Sequence, residues 1–146
     1  MAVFLEYPFL ICVSVMVLSE IVKHFFEGTV RNIWFQHGGM PSSHSAFVTS
    51  LLLVVGTMDG LGSSTFAIAA VFATIVWYDA AFVRSQVGRQ AKALNVLQQF
   101  HQFSERVGHS VAEVFGGIIF GVGVTWWILS WIGVWGGWWE YLGIGI

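Results

Sequence analysis

Three short runs carry residue types that can do chemistry on phosphate. Residues 38–46 read Gly-Gly-Met-Pro-Ser-Ser-His-Ser-Ala. Proline is favoured at the first position of a helix, so Pro41 is expected to open one. The backbone N–H groups near Ser43 and His44 would then be unpaired at the helix end, and such groups bind anions. Residues 78–84 read Tyr-Asp-Ala-Ala-Phe-Val-Arg, and Gly88, Arg89, Gln90 and Ala91 follow. Asp79 stands at the end of an apolar stretch, where a carboxylate needs a partner or water, and Arg84 is close enough to serve. Residues 108–113 read Gly-His-Ser-Val-Ala-Glu. On a helix His109 and Glu113, spaced i, i+4, share a face. A carboxylate beside an imidazole fixes its tautomer and stabilises its cation, which prepares the other ring nitrogen for attack.

Each run also has a purely structural reading: a helix cap with a nearby histidine, an ion pair, a His–Glu pair. Together they match what phosphoryl transfer requires, namely cations on the equatorial oxygens, a nucleophile, and an acid for the leaving oxygen. Metal chemistry has no such signature here. There is no HExxH pattern, no cysteine cluster and no acidic loop of calcium type. No metal and no cofactor is expected.

The elements that position these residues follow from composition. Of 146 residues, 56% are apolar and only 10% charged, against about 25% charged in soluble domains. So few charges cannot cover a soluble surface, but lipid can replace them. Spans of about 20 apolar residues are expected at about 3–22, 41–58, 63–80 and 109–132. Gly56, Gly60 and Gly62 predict a tight turn that makes the second and third spans antiparallel neighbours. Residues 83–107 mix Arg84, Arg89, Lys92, Glu105 and Arg106 with Val87, Ala91, Leu94, Leu97 and Phe100. That pattern predicts an amphipathic helix along the interface. The fold class is therefore an all-α integral membrane protein, with about four transmembrane helices plus an interfacial amphipathic helical segment, in one domain over 1–146. Gly117 and Gly121, one helical turn apart, predict close packing of the fourth span against another helix. Cys12, the single cysteine, excludes an intramolecular disulfide.

The six Lys and Arg residues, Lys23, Arg31, Arg84, Arg89, Lys92 and Arg106, all fall on one face of a four-span bundle. The opposite face carries Glu6, Asp59 and Glu140. The positive-inside rule makes the basic face cytoplasmic and puts both termini outside. Trp126, Trp127, Trp131, Trp135, Trp138 and Trp139 suit an aromatic belt at the outer interface.

GGMPSSHSA, then DAxxVR with GxQA and Leu94-Asn95, then GHxxxEV, resemble the divergent branch of the phosphatidic acid phosphatase type 2 and vanadium haloperoxidase superfamily. The resemblance runs from about residue 23 to residue 121. It implies that His109 attacks phosphorus to give a phosphohistidine, that Glu113 orients it, and that His44 protonates the leaving group. It implies phosphate contacts from Lys23, Arg84, Ser42, Ser43 and Arg31, with Asp79, Gly39, Gln90 and Asn95 in support. The chain departs from the pattern in places. Ser43 stands where a glycine is usual, Glu113 where an aspartate is, and Asn32 follows Arg31 where a proline would. Four spans are fewer than the superfamily's usual six, so a homodimer is expected to complete the bundle.

The resemblance implies a lipid phosphatase of the inner (plasma) membrane, acting on a phospholipid and not on nucleic acid. The favoured reaction is phosphatidylglycerophosphate to phosphatidylglycerol, because that substrate is made on the cytoplasmic leaflet. Phosphatidic acid or a polyprenyl (pyro)phosphate is the alternative substrate. A non-catalytic membrane protein that binds anionic lipid or transports a solute is the alternative class. Transporter charges lie deep in the bilayer, whereas these cluster at one interface.

Overall fold

The computed structural model describes residues 7–27, 39–98, 103–105 and 107–133. Arg31, Arg106, Glu6, Glu140, Trp135, Trp138 and Trp139 lie outside these residues. Among those described, regular structure is entirely helical. The helices are α1 (Pro8–Glu27), α2 (Ser43–Met58), α3 (Ser64–Tyr78), a π-helical turn (Asp79–Val83), α4 (Arg84–Leu97) and α5 (Val111–Ile132). Pro8–Phe25, Ser64–Leu97 and Val111–Ile132 are long and apolar enough to cross a bilayer. The fourth apolar helix, α2, has 16 residues, about 24 Å at 1.5 Å per residue. That is short of a hydrocarbon core of about 30 Å. The protein is a multi-pass, all-helical membrane protein.

The short α2 is the centre of the bundle and packs against α1, α3 and α5. Its sequence explains this position. Ser43, Ser45, Ala46, Val48, Thr49, Ser50, Val54 and Gly56 are buried, and most are small. Lipid tails are as apolar as leucine, so membrane helices associate through close backbone approach and hydroxyl contacts. Thr49 Oγ1 donates to Ser45 O at 2.6 Å, and Thr57 Oγ1 to Leu53 O at 2.6 Å. Such bonds let hydroxyls enter a helix interface without orphaned protons. At one end of the bundle Ile11 and Cys12 of α1, Val54 of α2, and Leu129 and Ile132 of α5 form an apolar core. At the other end Ala80, Ala81 and Val114 pack with Trp77 and Ile118. The large apolar side chains of α3 and α5, among them Ile68, Val71, Ile75, Ile119, Trp127 and Trp131, stay exposed for lipid.

The starts of α2, α3 and α5 differ from the sequence expectation by one or two residues, and caps are the reason. Pro41 does not open α2. Ser42 takes the N-cap in an extended conformation, and its hydroxyl accepts from Ser45 N, so Pro41 lies outside the helix. A serine oxygen that satisfies an orphan N–H stabilises a helix start by about 1 kcal/mol. The fourth span does not begin at His109 either. Ser110 and Glu113 form a reciprocal capping box at the head of α5. At the other face Gly60 (φ 85°) turns the chain, and Ser63 caps α3 by accepting from Phe66 N at 3.1 Å. The polar helix α4 follows α3 without leaving helical conformation and ends at Leu97, ten residues short of the expected end.

Candidate active site

The ends of α1, α2, α3 and α5 meet at one end of the bundle, and each of the three chemical runs lies there. The third run is placed by backbone contacts. A π turn shifts the hydrogen-bond ladder by one residue and so frees a carbonyl. Arg84 N reaches back five residues to Asp79 O, and Ala80 O instead accepts from His109 N at 3.1 Å. Two glycines allow this approach. A Cβ on Gly108 (φ 95°) would lie 2.7 Å from Arg84 Cβ and 2.9 Å from Ser85 N. A Cβ on Gly88 would lie 2.7 Å from Glu105 O. Asn95 fixes the same returning strand of chain. Its Nδ2 donates to Phe103 O at 2.9 Å, and its Oδ1 accepts from Phe103 N at 2.8 Å. Asn95 is thus a clamp for the backbone that delivers His109.

The π turn also sets the second run. In a π-helix, positions i and i+5 come into register. Asp79 Oδ2 accordingly accepts from Arg84 Nε at 2.8 Å. That bond uses one donor of the guanidinium and leaves the Nη groups for a ligand. Gln90 is exposed on α4 and lines neither of the cavities described here.

Glu113 joins the first and third runs. Its Oε1 accepts from Gly39 N at 3.3 Å, and its Oε2 from Ser110 N at 2.7 Å. Its backbone O accepts from Ser42 N at 3.2 Å. His109 Nδ1 lies 3.4 Å from Glu113 Oε2, an electrostatic contact without hydrogen-bond alignment. The pairing expected from helical i, i+4 spacing is present, but His109 sits ahead of the cap and meets Glu113 from the loop. The imidazole is 10% exposed. Burial pushes the His109 pKa below its usual 6.5; the Lys23 charge adds to this and Glu113 opposes it. The ring is therefore held neutral, with Nδ1 toward the carboxylate and Nε2 available.

His44, Asp79, Arg84 and His109 line one small cavity, with Val76 and Ala80. The structure thus brings together His44 of α2, Arg84 of α4 and His109 of the loop before α5. Lys23, Ser42 and Ser43 do not line it. Ser42 is buried, and its Oγ accepts from Ser45 Oγ at 3.0 Å. Ser43 Oγ donates to Glu20 Oε1, which also lies 3.4 Å from Lys23 Nζ. Lys23 is buried at 5% exposure. Sequence reasoning missed Glu20. The signal was a carboxylate and a lysine spaced i, i+3 near the end of an apolar span, where each needs the other.

The comparisons with known proteins agree with the motif resemblance. A family model described as the Divergent PAP2 family matches residues 4–124. The uncharacterized membrane protein YuiD of Bacillus subtilis (strain 168) is 32% identical over 145 residues, covering 82% of this chain and 92% of the relative. No solved structure matches. The matched residues include α1 to α4, the cap of α5, and every described residue of the cavity, so the chain belongs to the Divergent PAP2 family.

Proposed function

We propose that this protein hydrolyses a phosphate monoester on a membrane lipid through a phosphohistidine intermediate. The observation that carries the reading is the convergence of His44, His109 and Arg84 on one cavity, with Glu113 behind His109. His109 Nε2 bonds to phosphorus as the P–O ester bond breaks, and His44 gives its proton to the leaving alkoxide. Water then attacks phosphorus and gives its proton back to His44. The P–N bond breaks, and inorganic phosphate leaves. Arg84 neutralises the phosphoryl oxygens. Lys23 adds positive potential from beneath, and Ser42 and Ser43 shape the α2 end beside it.

Phosphatidylglycerophosphate is the favoured substrate. The described cations Lys23, Arg84, Arg89 and Lys92 stand at the end of the bundle where the runs meet, and positive charge favours the cytoplasmic side. In this proposal the termini are outside, the membrane is the cell's inner membrane, and a second copy of the chain completes the bundle. Purified protein offered phosphatidylglycerophosphate, phosphatidic acid and a polyprenyl pyrophosphate tests the reading through released phosphate. Turnover should continue in the presence of a chelator and stop with vanadate, which mimics pentacoordinate phosphorus. A strict magnesium requirement after exhaustive chelation would overturn the mechanism.

Sidedness has its own test, in a Cys12→Ser background. Gln86→Cys on α4 should be protected in intact cells from an impermeant thiol reagent. Asp59→Cys, at the opposite end of α2, should react. The reverse pattern would place the site outside and remove the preference for a cytoplasmic-leaflet lipid.

The pH profile tests the role of His109. The nucleophile must be neutral, and its pKa is depressed. The acid limb of kcat/KM should therefore fall below pH 6.5, the imidazole's ordinary value. Glu113→Gln should move that limb lower still, because the carboxylate is what favours the cation. A limb above that value would assign the titration to another group.

A further inference from the structure

His109 is the shared wall of two cavities. The first holds Arg84, as described. The second is a larger open groove between α4 and the returning chain, and it is lined by Arg89, Lys92, Glu105 and Ser110 as well as His109. Arg89 and Lys92 are spaced i, i+3 on α4 and so present their charges on neighbouring surface. Both are exposed, and neither has an ion-pair or hydrogen-bond partner among the described residues. Glu105, the one acid among the described residues of this rim, is engaged elsewhere: its Oε1 accepts from Asn95 Nδ2 at 3.0 Å. Two cations without a partner among the described residues therefore border His109 in a groove that Arg84 does not line.

We propose that this groove is a subsite for a second phosphate of the same substrate, a phosphodiester joined to the reacting monoester by a short hydroxylated linker. The inference rests on the phosphatase reading above and specifies its substrate class. The reacting phosphate sits at Arg84 and His109, and the linker passes the imidazole. The diester then meets Arg89 and Lys92, whose charge-assisted contacts are stronger than neutral ones. The other oxygen of Glu105 accepts from a linker hydroxyl. A pyrophosphate has no linker to pass His109, and phosphatidic acid has no second phosphate. Arg89 and Lys92 are thus specificity-determining residues. The fold fixes the groove through the Gly88 and Gly108 contacts, which bring Glu105, Val107 and Gly108 directly onto α4.

The test compares wild type with the double variant Arg89→Gln, Lys92→Gln. Both are offered phosphatidylglycerophosphate or phosphatidic acid in uncharged detergent micelles at fixed salt. Binding is read from tryptophan fluorescence and turnover from released phosphate. The expected result is a loss of about tenfold or more in affinity, and a matching rise in KM, for phosphatidylglycerophosphate alone. Phosphatidic acid should bind the variant and the wild type equally. An equal loss on both lipids would reduce the groove to general attraction and overturn the proposal, as would no loss on either. A selective loss of binding with no phosphate released by wild type would uphold the subsite and sink the phosphatase reading instead.

Discussion

His109→Ala should lower kcat by about 10⁴-fold or more while the protein still inserts and folds. The side chain can be removed without removing the joints around it. The chain is held at this point by His109 N on Ala80 O and by the backbone approach of Gly108 to Arg84 and Ser85. Neither involves the imidazole. Glu113 keeps its bonds to Gly39 and Ser110, so the α5 cap and the loop before α2 survive. What disappears is the nitrogen that attacks phosphorus in the proposed mechanism. Glu113→Gln should cost less, because a carboxamide oxygen still accepts from those N–H groups while the charge that stabilises the imidazolium is gone. The check is released phosphate from variants whose detergent melting temperature matches wild type. Wild-type rates in a well-folded His109→Ala protein would sink the mechanism.

How far the sequence revealed this site depended on the range of the interaction. The motif order around His44, Asp79, Arg84 and His109 was legible because residue type and local spacing carry it. The four apolar helices were legible because hydrocarbon demands long apolar runs. The capping box at Ser110 and Glu113 was also written in the sequence, and reading it would have placed His109 ahead of α5 instead of on it. The π turn has no periodic signature, since one extra residue per turn over five residues hides within any apolar helix. Yet it pairs Asp79 with Arg84 and gives His109 its carbonyl. The pairing of Glu20 with Lys23 had a local signal in its i, i+3 spacing, but its bond to Ser43 did not. Ser43 lies across the bundle and 23 residues on, and no local pattern links the two. Asn95 was expected to support the site, but its contacts with Phe103 and Glu105 depend on where the chain returns, which spacing alone does not fix. Arg31 lies outside the described residues, and its role remains a sequence expectation.

Gly117→Leu should destabilise the protein in detergent by about 2 kcal/mol or more, the upper part of the usual range for overpacking, and reduce activity with it. A Cβ on Gly117 would collide with Ser42 O and lie 2.8 Å from Ser45 Cβ. One turn on, a Cβ on Gly121 would lie 2.7 Å from Ala46 O and 3.0 Å from Ala46 Cα. The obstacles are largely backbone, which cannot swing aside as a long side chain can. Any added carbon must therefore push α5 off α2. Glu113 lies one turn before Gly117 and carries the bonds to Gly39 and Ser42. The same displacement would pull the carboxylate away from the loop and move His109 relative to His44. Gly123→Leu is the matched control, because open space surrounds a Cβ there. It should leave the melting temperature and turnover unchanged while adding the same apolar bulk. An unchanged melting temperature and oligomeric state in Gly117→Leu would mean that α2 and α5 do not pack through this pair, and the site built across them would lose its foundation.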